Sequence, residues 1–235
     1  MKLPILCYHK VGPIAEEGRR LNIEPERLAS HAAFFSRRGY RFVLPHDLVN
    51  RWPAHGVCFT FDDGYVSTAT YGVDALVREG GLGAIYVVTS LVGKVSSWDV
   101  GNERPLADYA LLKTAQSAGF EIGNHTRSHA RLGDLTVEAQ TDEISSTSDD
   151  LAAHGFDRPS CCLPYGSHNE STIAAMRQAG VAVNLALSRR SAQTGDNLLL
   201  MPRIVIAFGD GLAGLLYKLY VRPHLPSLKR RRDYV

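Results

Sequence analysis

The chain of 235 residues is long enough for one large α/β domain, and its composition, 45% apolar and 21% charged, excludes a chain that is disordered throughout. A formal net charge of +2 gives no reason to expect a nucleic-acid partner, and no apolar stretch approaches the roughly 20 residues that span a bilayer. The charge is uneven: six basic residues stand against one acid from Lys218 onward, which leaves 20 basic and 23 acidic residues in the rest.

In chain order, residues 3–8 read as a strand. The N-terminal run, residues 1–7, carries one charge and is broken by Pro4, too short for a secretory leader, so a cytoplasmic location is expected. Residues 25–38 carry Leu28, Ala32, Phe34 and Phe35 at helical spacing and stop at Gly39, a C-cap signal. Short strands follow at 40–44 and 57–61, then a helix at 67–78 closed by Gly80-Gly81 and a buried strand at 84–89. A helix at 106–117, a strand at 120–123 and a helix at 136–154, begun by the N-cap residue Thr136, come next. The last third reads as strand 160–163, helix 170–178, strands 181–187 and 203–207, and a helical segment 212–220 that leads into Lys229-Arg230-Arg231-Arg232. Polar stretches at 13–22 and 95–104 are the candidate linkers, and neither divides the chain. The alternation predicts parallel strands covered by helices, in an open sheet or a closed barrel. Residues 1–211 are expected to form a catalytic domain and 212–235 a helix with a basic tail. Cys7, Cys58, Cys161 and Cys162 lack CxxC spacing and read as small buried apolar groups in a reducing compartment.

The residues that carry chemistry fall at strand ends. Asp62 and Asp63 close the strand at 57–61, His125 and His129 follow that at 120–123, Pro164-Tyr165-Gly166 follows 160–163, and His9 follows 3–8. In a parallel α/β arrangement the carboxyl ends of the strands converge on one face. Two adjacent carboxylates disfavour each other's ionisation unless a positive charge stands beside them. A divalent metal supplies it. Asp63 with His125 and His129, whose i, i+4 spacing would place both rings on one side of a helical turn, makes a three-ligand set suited to Zn²⁺ and open to Co²⁺, Ni²⁺ or Fe²⁺. Such an ion polarises a carbonyl and acidifies bound water, and Asp62 is left to accept the proton. Taken singly, these residues have plainer readings: Asp-Gly is a common turn pair, and an HxxxH on a surface helix is usually incidental. Their joint position at separate strand ends favours a site.

Thr60-Phe61-Asp62-Asp63-Gly64, His125-Thr126-Arg127-Ser128-His129 and Leu163-Pro164-Tyr165-Gly166 resemble, in order, the first three motifs of the polysaccharide deacetylases, the NodB-homology group of carbohydrate esterase family 4. The resemblance covers nearly the whole chain and implies a distorted (β/α) barrel of about seven strands. It also implies that Asp62 is the general base, that Asp63, His125 and His129 hold the metal, and that the backbone N–H of Tyr165 stabilises an oxyanion while acetate leaves an N-acetylated sugar. Cys7-Tyr8-His9-Lys10-Val11 resembles the Tyr-His signature of the circularly permuted members, which include poly-N-acetylglucosamine deacetylases, and gives His9 the part of general acid. Cys162 departs from the pattern, because many members have there an arginine that orients the base. Arg203 is the expected replacement and Arg127 its competitor. Pro164, Tyr165 and Trp98 are the expected substrate contacts, Trp98 by stacking.

With no export signal in view, the expected substrate is a lipid-linked or nucleotide-linked N-acetyl sugar of cell-surface glycan assembly. Leu212, Leu215, Leu216, Leu219 and Tyr220 lie at helical spacing before the basic tail. They would suit the anionic inner face of a membrane, or equally a helix that caps the barrel. The competing functions are an amidohydrolase for a small non-sugar amide, an inactive sugar-binding module and a non-haem iron oxygenase. Base, ligands and acid occurring together disfavour the inactive module, and an oxygenase has no use for Asp62.

Overall fold

The computed structural model describes residues 1–157 and 160–226. Among them, seven strands close into a parallel barrel: β1 (Ile5–Tyr8), β2 (Gly56–Phe61), β3 (Ala84–Val87), β4 (Glu121–Asn124), β5 (Cys161–Cys162), β6 (Asn184–Ser188) and β7 (Met201–Val205). Each pairs with the next in the chain, and β1 closes the ring between β7 and β2. The expected distorted barrel is therefore the fold observed.

Strands buried on both faces need apolar side chains on both, which is why β1 and β3 read as unbroken apolar runs and β2 departs from one only at Thr60. Alternation along each strand separates two packing layers. Ile5, Cys58, Ala84, Tyr86, Cys162, Leu185 and Met201 form one cluster, inside the barrel. Leu6, Tyr8, Phe59, Phe61, Ile85 and Val87 belong to a second, which joins the outer barrel wall to the helices. The inner positions turn polar toward the carboxyl end: Cys58 is followed two residues on by Thr60 and then Asp62, and Met201 by Arg203.

The main helices are α1 (Pro25–Ser36), α2 (Val73–Val77), α3 (Tyr109–Ser117), α4 (Val137–Ala153), α5 (Glu170–Gln178) and α6 (Leu212–Leu216). Pro25 opens α1 at a position where no backbone donor is missed. Thr136 caps α4 by accepting from the Ala139 N–H. The helix expected from residue 106 begins at Tyr109, because the N–H groups of Leu106 and Ala107 bond to Lys94 and Gly64 and Asp108 supplies the cap. The helix expected over 67–78 has a π-turn, Thr68–Gly72, before α2; the Thr70 hydroxyl donates back to the Val66 carbonyl, and the Thr68 hydroxyl to the carbonyl of His9. After α6 the chain continues through a π-turn, Tyr217–Val221. Leu215 and Leu219 are buried in the outer cluster, so this segment packs beside α1 on the outer wall of the barrel. No helix among the described residues is long and apolar enough to cross a membrane.

Candidate active site

Tyr8 of β1 and Phe61 of β2 are paired, so His9 and Asp62 leave the barrel from one rung. The chain then turns sharply, with φ of 74° at Asp63 and 73° at Gly64. A β-carbon on Gly64 would lie 2.9 Å from Cγ1 of Val87, so conformation and space both demand glycine. Leu21, Asp63, Thr126, His129 and Tyr165 are the non-glycine residues at positive φ among the described residues. Four of them line one pocket, and Thr126 lies between the two histidines. Backbone strain gathered in one place marks the mouth of the barrel as the functional end.

Residues 125–129 do not form the expected helical turn. The chain enters the left-handed region at Thr126 (φ 66°) and His129 (φ 65°). Two side chains hold this shape. Asn124 accepts from the Thr126 N–H at 2.8 Å and donates to the Ile144 carbonyl at 2.9 Å. Glu143 of α4 accepts from the N–H groups of Arg127 and Ser128, each at 2.9 Å, and from the Ser128 hydroxyl at 2.6 Å. A loop wrapped around a carboxylate, rather than a helix, brings the two rings together.

Nε2 of His125 and Nε2 of His129 stand 3.2 and 3.3 Å from Oδ1 of Asp63. Those separations match the edges of a tetrahedron built on metal–ligand bonds of about 2.0–2.1 Å. Nδ1 of His125 bonds to the Cys162 carbonyl at 2.5 Å, which places its proton there and leaves Nε2 with the lone pair a metal requires. Burial opposes charge on both rings. At His125 the Asp63 and Asp62 carboxylates outweigh it and raise the pKa, whereas at His129 burial prevails and lowers it. Two imidazoles and one carboxylate, open toward a pocket, fit a borderline divalent ion.

Asp62 is held differently. Arg203 forks onto its carboxylate, Nη1 at 2.6 Å from Oδ1 and Nη2 at 2.7 Å from Oδ2, and both residues are buried. Burial alone would raise the Asp62 pKa, but Arg203, then His125 and His9, hold it at about 2. The thiols of Cys7 and Cys162 lie 3.5 and 3.4 Å from its two oxygens, and Cys162 also touches the Arg203 guanidinium. These two cysteines are contacts of the carboxylate and not only apolar filler. Arg127 faces solvent instead, 51% exposed beside Asp142. His9 is half-buried, with Nε2 3.8 Å from Oδ2 of Asp62.

The pocket over these groups has a volume of about 280 Å³. Trp98 lies against the His129 ring, centroids 3.9 Å apart, and Tyr165 meets the same ring at 4.8 Å. Tyr165 sits in a strained turn (φ 59°), and its N–H makes no hydrogen bond among the described residues. Pro164 is buried and starts that turn, but Leu163 and Gly166, not Pro164, line the pocket. The stretches 13–22 and 95–104 are pocket walls rather than linkers, and they supply Arg20, Leu21, Trp98 and Asp99. Arg104 pairs with the Glu17 carboxylate at 3.5 Å, which ties the walls together, and Lys10 donates to the Glu17 carbonyl at 3.2 Å. Sequence reasoning missed Arg20, Leu21 and Asp99 because no motif contains them; the one signal was an Asp beside a loop Trp.

The profile of the polysaccharide deacetylase family matches residues 50–183. Among solved structures, the deacetylase PplD of Streptococcus pyogenes, in complex with acetate, superposes with a TM-score of 0.80 at 22% identity, covering 93% of this chain and 98% of its own. A de-N-acetylase from Aggregatibacter actinomycetemcomitans gives 0.77 at 20% identity, covering 93% and 100%. IcaB from Ammonifex degensii gives 0.71 at 20% identity, covering 88% and 92%. At these identities the likeness is one of fold. No curated protein matches the sequence.

Proposed function

The chain belongs to the polysaccharide deacetylase family, enzymes that remove N-acetyl groups from sugars, and from that premise we propose that its chemistry is metal-dependent and centred on Asp62, Asp63, His125 and His129. One observation carries the assignment. A set of two imidazoles and one carboxylate shares one pocket with a second, ionised carboxylate, and the Arg203 fork on both oxygens of Asp62 favours it as the base rather than a ligand.

A divalent ion on Asp63, His125 and His129, Zn²⁺ by the character of its donors, would polarise the acetamido carbonyl and acidify a water. Asp62 takes the proton of the attacking water, oriented by the Arg203 fork. His9, 3.8 Å from Asp62, returns a proton to the departing amine. The unengaged N–H of Tyr165 donates to the oxyanion, and Trp98 packs against the sugar ring. The decisive experiment measures bound metal and acetate release from N-acetylated amino sugars, with Asp62→Asn as the control. Metal binding with no acetate from any amino sugar would favour a small non-sugar amide.

The finer part of the proposal is a lipid-linked or nucleotide-linked N-acetyl sugar of cell-surface polysaccharide assembly, processed at the cytoplasmic face of a membrane. The uneven charge of the sequence supports it: Lys229-Arg230-Arg231-Arg232 follow a body with a slight acidic excess. Those residues lie outside the described ones. Leu215 and Leu219 face the core and are withdrawn from any lipid surface, while Tyr220 is exposed, so contact with anionic lipid rests mainly on the tail. Sedimentation with anionic vesicles should fall when the chain is cut after Pro226; equal sedimentation of both forms removes the membrane from the proposal.

A further inference from the structure

Asp99 is a buried carboxylate in the pocket wall to which the mechanism assigns no part. It lies on the loop 95–104, whose ends are closed by a bridge between Val95 and Pro105 and which is keyed to the Asp62-Asp63-Gly64 turn through Tyr65, paired with Leu106. Its Oδ2 accepts from the Tyr65 hydroxyl at 2.6 Å and from the Ser96 hydroxyl at 2.9 Å. The direction of both bonds is determined by their neighbours. The Tyr65 oxygen already accepts from the Trp98 indole N–H at 2.8 Å, and the Ser96 oxygen from the Arg104 N–H at 3.0 Å. Indole and backbone N–H groups only donate, so both hydroxyls have their protons free for Asp99.

Oδ2 is thus filled, whereas Oδ1 makes no hydrogen bond among the described residues. Its nearest partner is the exposed Arg20 guanidinium at 3.9 Å, from the opposite wall of the same pocket. A carboxylate 6% exposed, with one oxygen anchored and the other left open beside Trp98, is a preorganised acceptor. We infer that Asp99 is a specificity-determining residue, whose Oδ1 accepts a hydrogen bond from a ring hydroxyl of the sugar that carries the acetamido group. Arg20 closes over the same hydroxyl from the other side. The inference rests on the sugar de-N-acetylase reading and adds the residue that makes the site select a polyol over a plain amide or ester.

The test is Asp99→Asn. An asparagine would keep its oxygen toward Tyr65 and Ser96 and turn an NH₂ donor toward the pocket, where an acceptor stood. With β-1,4-linked N-acetylglucosamine pentamer the expected result is a KM raised roughly 10- to 100-fold, the range for losing a bond to a charged group, with kcat within a few-fold of wild type. Hydrolysis of 4-nitrophenyl acetate, which has no ring hydroxyl, should stay within about two-fold of wild type. Calorimetric binding of the pentamer in an Asp62→Asn background, with and without the second substitution, should weaken by the same factor as KM rises. A parallel loss on sugar and ester would make Asp99 merely structural, and unchanged sugar kinetics would remove it from the site. Either outcome overturns the inference while wild-type acetate release stands. No acetate from wild type with any N-acetylated amino sugar would overturn the de-N-acetylase reading and this inference with it; if the pentamer alone is refused, the same comparison is made on the amino sugar that releases acetate. Should Asp99→Asn fold poorly, Ser96→Ala, which loosens only one anchor of Oδ2, should raise the sugar KM by a smaller factor; no change there counts against the proposal.

Discussion

Asp62 at the mouth of the barrel and Glu121 at its base are both buried carboxylates, satisfied in opposite ways. Glu121 opens β4; its Oε1 accepts from the Ser160 N–H at 2.6 Å, and its Oε2 from the N–H and ring nitrogen of His46 at 3.2 and 2.9 Å. Backbone donors dominate, and they stitch neighbouring segments together. The Asp62 carboxylate meets side chains from three strands, Arg203, Cys7 and Cys162, and opens onto a pocket. Burial of a charge marks nothing by itself. A site is distinguished by compensation drawn from side chains beside an open volume, since such groups need not be consumed in holding the fold.

The largest separation of the two should come from removing the compensating charge. Arg203→Ala leaves Asp62 buried and unpaired, and should cost about 3–5 kcal/mol in urea unfolding, with activity lost as well. A variant of wild-type stability would mean that water replaces the guanidinium and that the mouth is wetter than its burial suggests.

Between pH 7 and 4, acid sensitivity should come from His31 on α1, buried and bonded to the Tyr8 hydroxyl at 3.0 Å. Burial pushes its pKa down to about 4, so the unfolded chain binds a proton that the folded chain refuses. Its share of stability is complete above pH 6.5 and is lost as the pH falls toward 4, by on the order of 3 kcal/mol. Unfolding followed between pH 7 and 4 should show the decline, and His31→Phe should flatten it; an unchanged slope would assign the acid transition elsewhere.

Glu121→Ala should cost about 1–3 kcal/mol, because it orphans backbone donors, while kcat per folded molecule stays near wild type. A fall in kcat would show that the base of the barrel communicates with the mouth. Smallest in energy, Glu143→Ala should weaken metal binding roughly ten-fold, by loosening the loop that presents His125 and His129, with little change in melting temperature. Unaltered affinity in a metal titration would mean that Asn124 alone holds that loop.

Much of this was legible before any coordinates. Strand–helix alternation specified a parallel α/β fold, and the motif residues at the ends of β2, β4 and β5 placed one functional face, because strand direction alone puts those ends together. Arg203, on a late strand, was expected as the replacement for the arginine missing at Cys162, and it is the residue that forks onto Asp62. The shape of the His125–His129 loop was not: i, i+4 spacing suits a helical turn, and the carboxylate that overrides it, Glu143, comes from a later helix. The walls at 13–22 and 95–104 read as linkers because their polarity is answered by each other, Arg104 against Glu17 and Arg20 against Asp99, across distances no local pattern encodes.

The sequence by itself determined the alternation of strands and helices, the ligand types and the family, all of which follow from local periodicity and contiguous motifs. Only the tertiary structure decided which groups hold Asp62 and which wall faces the substrate. A forked guanidinium, two thiols and the Tyr65–Asp99 bond join residues far apart in the chain. Their energies exist only once the barrel has closed and excluded water around them.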